Sequence, residues 1–249
     1  MERRHPLDVN PLHSESKYRK SKHEVFPALM KAIYVSPTAG GKTSSAITAI
    51  MAQWNLYTRV VLFSPTCDID PSFEKLKEDI KKKLISKGID PDDPEEEVGF
   101  ESLDQLPRVV QKQTQLIKQE RDLGRGKLSA LCILCDDNLG NMRFNKHLDA
   151  LASRGRHLAV HLHICTQVYR GLSSQIRKNV DCLAIFRLPA MEYQAVAEEV
   201  VGSHVSKEQF EELYKRAVSS PHQFLWILLK SPDPEHMFYR GFSTRLVPT

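Results

Sequence analysis

The 249-residue chain contains no stretch of about 18 apolar residues, the length a helix needs to cross a bilayer, and its first residues, with Arg3, Arg4 and Asp8, hold no apolar signal region. Neither a membrane span nor secretion is therefore expected. Cysteine is scarce and odd in number: Cys67, Cys132, Cys135, Cys165 and Cys182. The last four fall in or beside apolar runs, where thiols act as small core residues of a reducing compartment rather than as disulfide partners. Cys132-x-x-Cys135 has no second pair at ligand spacing, which argues against zinc. Charge of one sign is not in great excess either, because the formal net charge is +4. Nucleic-acid binding is permitted but not demanded, and depends on where basic residues gather. They gather at 16–23, 81–83, 121–127 and 154–178, and the Lys81 run reads as a solvated face. No internal repeat is evident.

What is present is an ordinary globular composition, 41% hydrophobic and 27% charged, in a length that suits a single substantial core. Residues 1 to about 27 are polar, carry Pro6 and Pro11 and show no sustained period, so they read as an arm, with 28–249 as the folded domain. Apolar runs then recur at Ala32–Ser36, Arg59–Ser64, Ala130–Cys135, Val160–Thr166 and Cys182–Arg187, separated mostly by helical segments. That alternation predicts an α/β fold whose parallel sheet is covered by helices on both faces. A polar insertion, about 70–125, holds two predicted helices, Phe73–Lys87 and Leu103–Arg121, around an acidic turn at Asp90–Glu97. After a helical stretch to about Ala217, Phe224–Leu229 is a predicted strand, and Met237–Phe242 the last strand of a hairpin at the sheet edge, within about 223–243.

The chemistry concentrates where the first apolar run ends, in Ser36-Pro37-Thr38-Ala39-Gly40-Gly41-Lys42-Thr43-Ser44. A triphosphate needs backbone N–H groups turned inward around its oxygens, a cation reaching its terminal phosphates and a hydroxyl for Mg²⁺. The glycines, Lys42 and Thr43 supply these. Ala46, Ile47, Ile50, Met51 and Trp54 follow at helical spacing, which aims a helix N-terminus at the phosphates. The phosphate-loop pattern usually begins with glycine, and Ser36 stands in that place. The run ending in Asp136-Asp137 puts two acids at the carboxyl edge of a parallel sheet, where Asp136 suits Mg²⁺ through its water shell and Asp137 suits orienting or deprotonating an attacking water. Gln167, at the end of the Val160–Thr166 run, is the candidate γ-phosphate sensor. His161 and His163 share one face of that run and read as packed, hydrogen-bonded imidazoles.

Three segments together resemble the genome-packaging ATPases of poxviruses and other large DNA viruses, a branch of the FtsK/HerA superfamily of DNA-pumping motors. They are Val60-Val61-Leu62-Phe63-Ser64-Pro65, the Asp136-Asp137 strand end, and Gly155-Arg156-His157 leading to Thr166-Gln167-Val168-Tyr169-Arg170 and Ile176-Arg177-Lys178-Asn179. The resemblance covers roughly Lys31 to Leu188. It implies a RecA/FtsK-like P-loop NTPase with the Gln167 strand between the phosphate-loop strand and the Asp136 strand. It also implies ATP and Mg²⁺ as cofactors, a homo-oligomeric ring (hexamer or pentamer) around double-stranded DNA, capsid or virion components as partners, and a place in the virus factory of the host cytoplasm or in the virion. Such rings place an arginine of a neighbouring subunit at the γ-phosphate, and Arg156 and Arg177 both occupy matching motif positions. The second acid is Asp where many FtsK/HerA motors have Glu, and here the chain is similar to the virus branch.

Other classes fit less of the chain. Asp137-Asn138-Leu139-Gly140 fits the GTPase pattern D-x-x-G, but Asn145-Lys146 follows too closely to be a guanine-reading motif. A small-molecule kinase needs an arginine-bearing lid and an acceptor pocket, and no convincing lid is evident in the sequence. A non-catalytic DNA-binding or virion structural protein leaves Lys42, Thr43, Asp136 and Asp137 without purpose.

Overall fold

Every residue of the first apolar run is buried, as in a strand covered on both faces. The computed structural model describes residues 18–137, 145–201, 205–231 and 233–248. Among these, β1 (Lys31–Val35), β2 (Tyr57–Phe63), β3 (Gly99–Phe100), β4 (Ala130–Asp136), β5 (Val160–Thr166), β6 (Cys182–Ile185), β7 (Leu225–Leu228), β8 (Phe238–Arg240) and β9 (Thr244–Leu246) form a single sheet in the order β3-β2-β4-β5-β1-β6-β7-β8-β9. Pairings from β3 through β6 are parallel and those from β6 to β9 antiparallel.

Alternation along the strands divides the core in two. Ile33 and Val35 join the cluster that also takes Ile133, Ile164 and Leu183, beneath α3 (Leu106–Asp122), α4 (Lys146–Arg154), α5 (Ser174–Asn179), α6 (Ala190–Val200) and α7 (Lys207–Ala217). Ala32 and Tyr34 face the opposite way, with Leu62 and Leu134, toward α1 (Lys42–Ala52) and α2 (Pro71–Ile85). The helix starts are chemically marked. The Asp70 carboxylate accepts from Ser72 N at 2.8 Å with Pro71 in the first turn, and Ser206 with Gln209 closes a capping box on α7.

Three expectations need correction. The supposed insertion contributes to the sheet itself, because Gly99 and Phe100 pair with Leu62 and Phe63 as β3; two residues are too few to carry a period. The hairpin at the other end gains a third strand, so β9 rather than Met237–Phe242 forms the edge. The polar N-terminal segment is fastened to the body from Tyr18 onward: Tyr18 is buried among Ile117, Leu128 and Ala159, Phe26 packs edge-on against Trp226 and Phe242, and Trp226 Nε1 donates to Val25 O at 3.1 Å. Residues 1–17 lie outside the described residues.

Candidate nucleotide site

Strand order decides which side chains meet. β5 lies between β1 and β4, and the three end almost flush, with Val35 opposite Thr166 and Asp136 opposite Cys165. The loop after β1, the acids ending β4 and Gln167 after β5 therefore converge at the carboxyl edge of the sheet, where parallel α/β sheets hold their ligands.

The loop leaves β1 through Ser36, whose N–H donates to Thr166 O at 3.2 Å and whose hydroxyl donates to Pro37 O at 2.9 Å. Gly40 N also donates to Pro37 O, at 3.2 Å. Ala39 and Gly41 have φ of 58° and 105°, a left-handed path that turns the backbone just before Lys42 opens α1. Lys42 is buried, with Nζ 3.0 Å from Asp137 Oδ2. Gln167 Nε2 donates to both Asp137 oxygens at 3.3 Å, and its Oε1 accepts from the Thr38 hydroxyl at 3.2 Å. Thr38, Gln167, Asp137 and Lys42 thus form one continuous polar chain across three strands. Asp137 has φ of 48°, a conformation costly for a side chain larger than glycine, which turns its carboxylate toward the loop.

Asp136 points elsewhere. Its buried carboxylate accepts from the Thr43 hydroxyl at 3.0 Å. Burial pushes its pKa up, and the neighbouring Asp137 adds to this, while Thr43, Lys42 and the Cys165 thiol favour the ionised form. The Thr43 hydroxyl and Asp136 are hard oxygen donors of the kind Mg²⁺ takes. A single hydroxyl beside a single carboxylate fits an ion that draws its other ligands from water and phosphate.

The two arginines lie apart from this chain of contacts. Arg156 is exposed in the turn Gly155–Leu158 that precedes β5, at the amino edge of the sheet, where its carbonyl accepts from Tyr18 OH at 2.7 Å. Arg177 on α5 lies over the Tyr169 ring, its Nε 2.9 Å from Glu199 Oε1. Sequence reasoning did not find the α6 acids. Glu192 accepts from Tyr169 N at 2.8 Å and Glu199 from Tyr169 OH at 3.0 Å, so the segment just after Gln167 is tied to α6. Nothing local in the sequence marks acids whose partners lie a helix away.

The remaining candidates have structural roles. His161 Nδ1 accepts from Met30 N at 3.3 Å, His163 Nδ1 meets Tyr34 OH at 3.1 Å, and burial pulls both imidazoles down to about 3. Cys132 and Cys135 point to opposite faces of the sheet, so the pair does not converge on one ion. Asn145 caps α4, its carbonyl oxygen accepting from His147 N and Leu148 N. The rest of the D-x-x-G segment, Asn138–Gly140, lies outside the described residues.

Solved structures that share this architecture include proteins with nucleotides bound. The genome packaging NTPase B204 of Sulfolobus turreted icosahedral virus 2, in complex with AMPPCP, superposes with a TM-score of 0.56 at 13% identity, covering 87% of this chain and 98% of that one. Its complex with ATPγS gives a TM-score of 0.53 over the same shares. The fold is that of a P-loop NTPase. The same fold recurs in the pCW3 conjugation coupling protein TcpA with ATPγS, at a TM-score of 0.54 and 13% identity over 86% of this chain and 60% of that one. Neither a protein-family model nor a curated protein matches the sequence.

Proposed function

We propose that the chain is an ATPase that translocates double-stranded DNA to package a viral genome, working as a ring of identical subunits. The observation that carries the ATPase reading is the polar chain from Thr38 through Gln167 and Asp137 to Lys42, set beside the Thr43–Asp136 pair. The packaging reading is supported by the sequence resemblance and by the fold shared with B204.

In this reading the loop amides and Lys42 hold the β- and γ-phosphates, and Lys42 leaves Asp137 for the triphosphate. Thr43 and Asp136 would hold Mg²⁺, which would supply charge neutralisation to the triphosphate. Asp137 orients the attacking water or takes its proton, and Gln167, hydrogen-bonded to Asp137, senses the γ-phosphate. An arginine of the next subunit completes the site and contributes about 10³-fold or more in rate. Arg177 is held by Glu199 within its own chain, whereas Arg156 has no side-chain hydrogen bond or ion pair among the described residues. Either remains eligible, because a finger acts on the neighbour's site.

The test is ATP turnover with and without linear double-stranded DNA, in the wild type, in Asp137→Asn, in Arg177→Ala and in a mixture of the two variants. DNA-stimulated turnover that is lost in Asp137→Asn is the expected result; its loss in Arg177→Ala with partial recovery in the mixture makes Arg177 the finger, and its retention in Arg177→Ala leaves that role to Arg156. Turnover indifferent to DNA removes the packaging claim and leaves an NTPase. Absence of turnover under every condition favours a non-catalytic binding protein.

A further inference from the structure

The segment joining α7 to β7 carries a residue that the mechanism above does not use. His222 has φ of +61° and an exposed side chain. A non-glycine residue holds the left-handed region at a cost, and such residues cluster where function fixes the backbone. The place a Cβ on Gly41 would take is 3.6 Å from both Cβ and Nδ1 of His222, and 3.3 Å from Cε1 of Phe186. The imidazole therefore hangs over the phosphate loop one residue before Lys42, beside the paired Phe186 and Phe224 rings, whose centroids are 4.8 Å apart. Among the described residues its side chain has no hydrogen-bond, ion-pair or ring partner.

Direction follows from the sheet. Asp137 and Gln167, which face the terminal phosphate in the reading above, lie on the β4–β5 side of β1. β6 and β7, with Phe186 and His222 at their carboxyl and amino ends, lie on the other side. A phosphate chain with its γ end at Gln167 sends its nucleoside end toward β6 and β7. We infer that His222 stacks its imidazole on the base of the bound nucleotide. This inference rests on the ATP reading of the loop.

Inorganic tripolyphosphate separates the two claims, because it fills a phosphate loop and has no base. Calorimetric titrations with Mg²⁺ compare AMPPNP and tripolyphosphate on the wild type and on His222→Gly and His222→Asn, replacements that tolerate the positive φ and remove the ring. Loss of one base–aromatic stack weakens AMPPNP about 10-fold, with tripolyphosphate unchanged. Equal weakening of both ligands, or of neither, overturns the inference while the wild type still binds. A wild type that binds neither ligand overturns the ATP reading and this inference with it.

Discussion

A methyl group on Gly40 would fall 1.9 Å from Ser36 Oγ. The serine that stands where phosphate loops usually begin with glycine is therefore not a loose substitution, since its hydroxyl fills the space that Gly40 leaves empty and bonds to Pro37 O. Gly40→Ala is expected to cut ATP turnover at least ~10-fold, because overpacking of this kind costs about 1–3 kcal/mol and falls on the phosphate cradle. Adding Ser36→Gly should restore most of it. Steady-state kinetics of the single and double variants decide the matter, and a double variant as poor as Gly40→Ala would show that the two residues are not coupled. The second acid carries a different constraint, since its left-handed backbone is paired with a direct contact to Lys42.

At the level of elements, β5 joins site to core. Its carboxyl end leads into Gln167, while His161 and His163 lie on the face that packs with Tyr57 and Tyr34. Both imidazoles have folded pKa values of about 3, against about 6.5 for an unperturbed histidine. The unfolded chain therefore binds more protons below pH about 6.5, so stability is full above that pH and falls as pH drops toward 3. The slope approaches ~1.4 kcal/mol per pH unit for each histidine. Urea unfolding between about pH 6.5 and 5.5, above the main carboxylate range, should show this slope, and His161→Gln should lower it by up to about one proton. An unchanged slope would mean that His161 is solvated or charged in the folded state.

The same scale shows what could be read in advance. β1, β4 and β5 were legible because each is an apolar run that ends in glycines, acids or a lone amide. β3 and β9 were not, because two or three residues carry no period and are held by their neighbours' ladders. Glu192 and Glu199 escaped notice because their partners, Tyr169 and Arg177, become neighbours through folding alone.

For the whole molecule, the position of charge matters more than the net +4. The Lys81–Lys83 run is locally answered: Lys81 pairs with Asp92 and Lys82 with Glu78 and Asp79. Lys83 donates to Trp54 O and lies 4.3 Å from the Trp54 ring, its pKa lowered to about 8 chiefly by burial. This run is a poor candidate for gripping a phosphate backbone. If the ring model holds, DNA affinity drops steeply with salt, with a log–log slope of about −0.9 for each phosphate neutralised. Binding titrations from about 50 to 200 mM salt measure that slope. Glutamine at Lys81 and Lys82 should leave it unchanged, and an affinity that ignores salt would count against a DNA channel.

The flush ends of β1, β5 and β4 also carry a kinetic consequence. A slip of one position between parallel neighbours moves a strand by about 3.3 Å and turns its side chains to the other face. Gln167 then loses Thr38 and Asp137 together, however native the helices are. The strands that must align are far apart in the chain, and such pairings form slowly because long loops must close first. In the proposed ATPase, turnover is therefore expected to return in refolding after the helical signal, so that an activity assay followed beside it would read the alignment of the sheet.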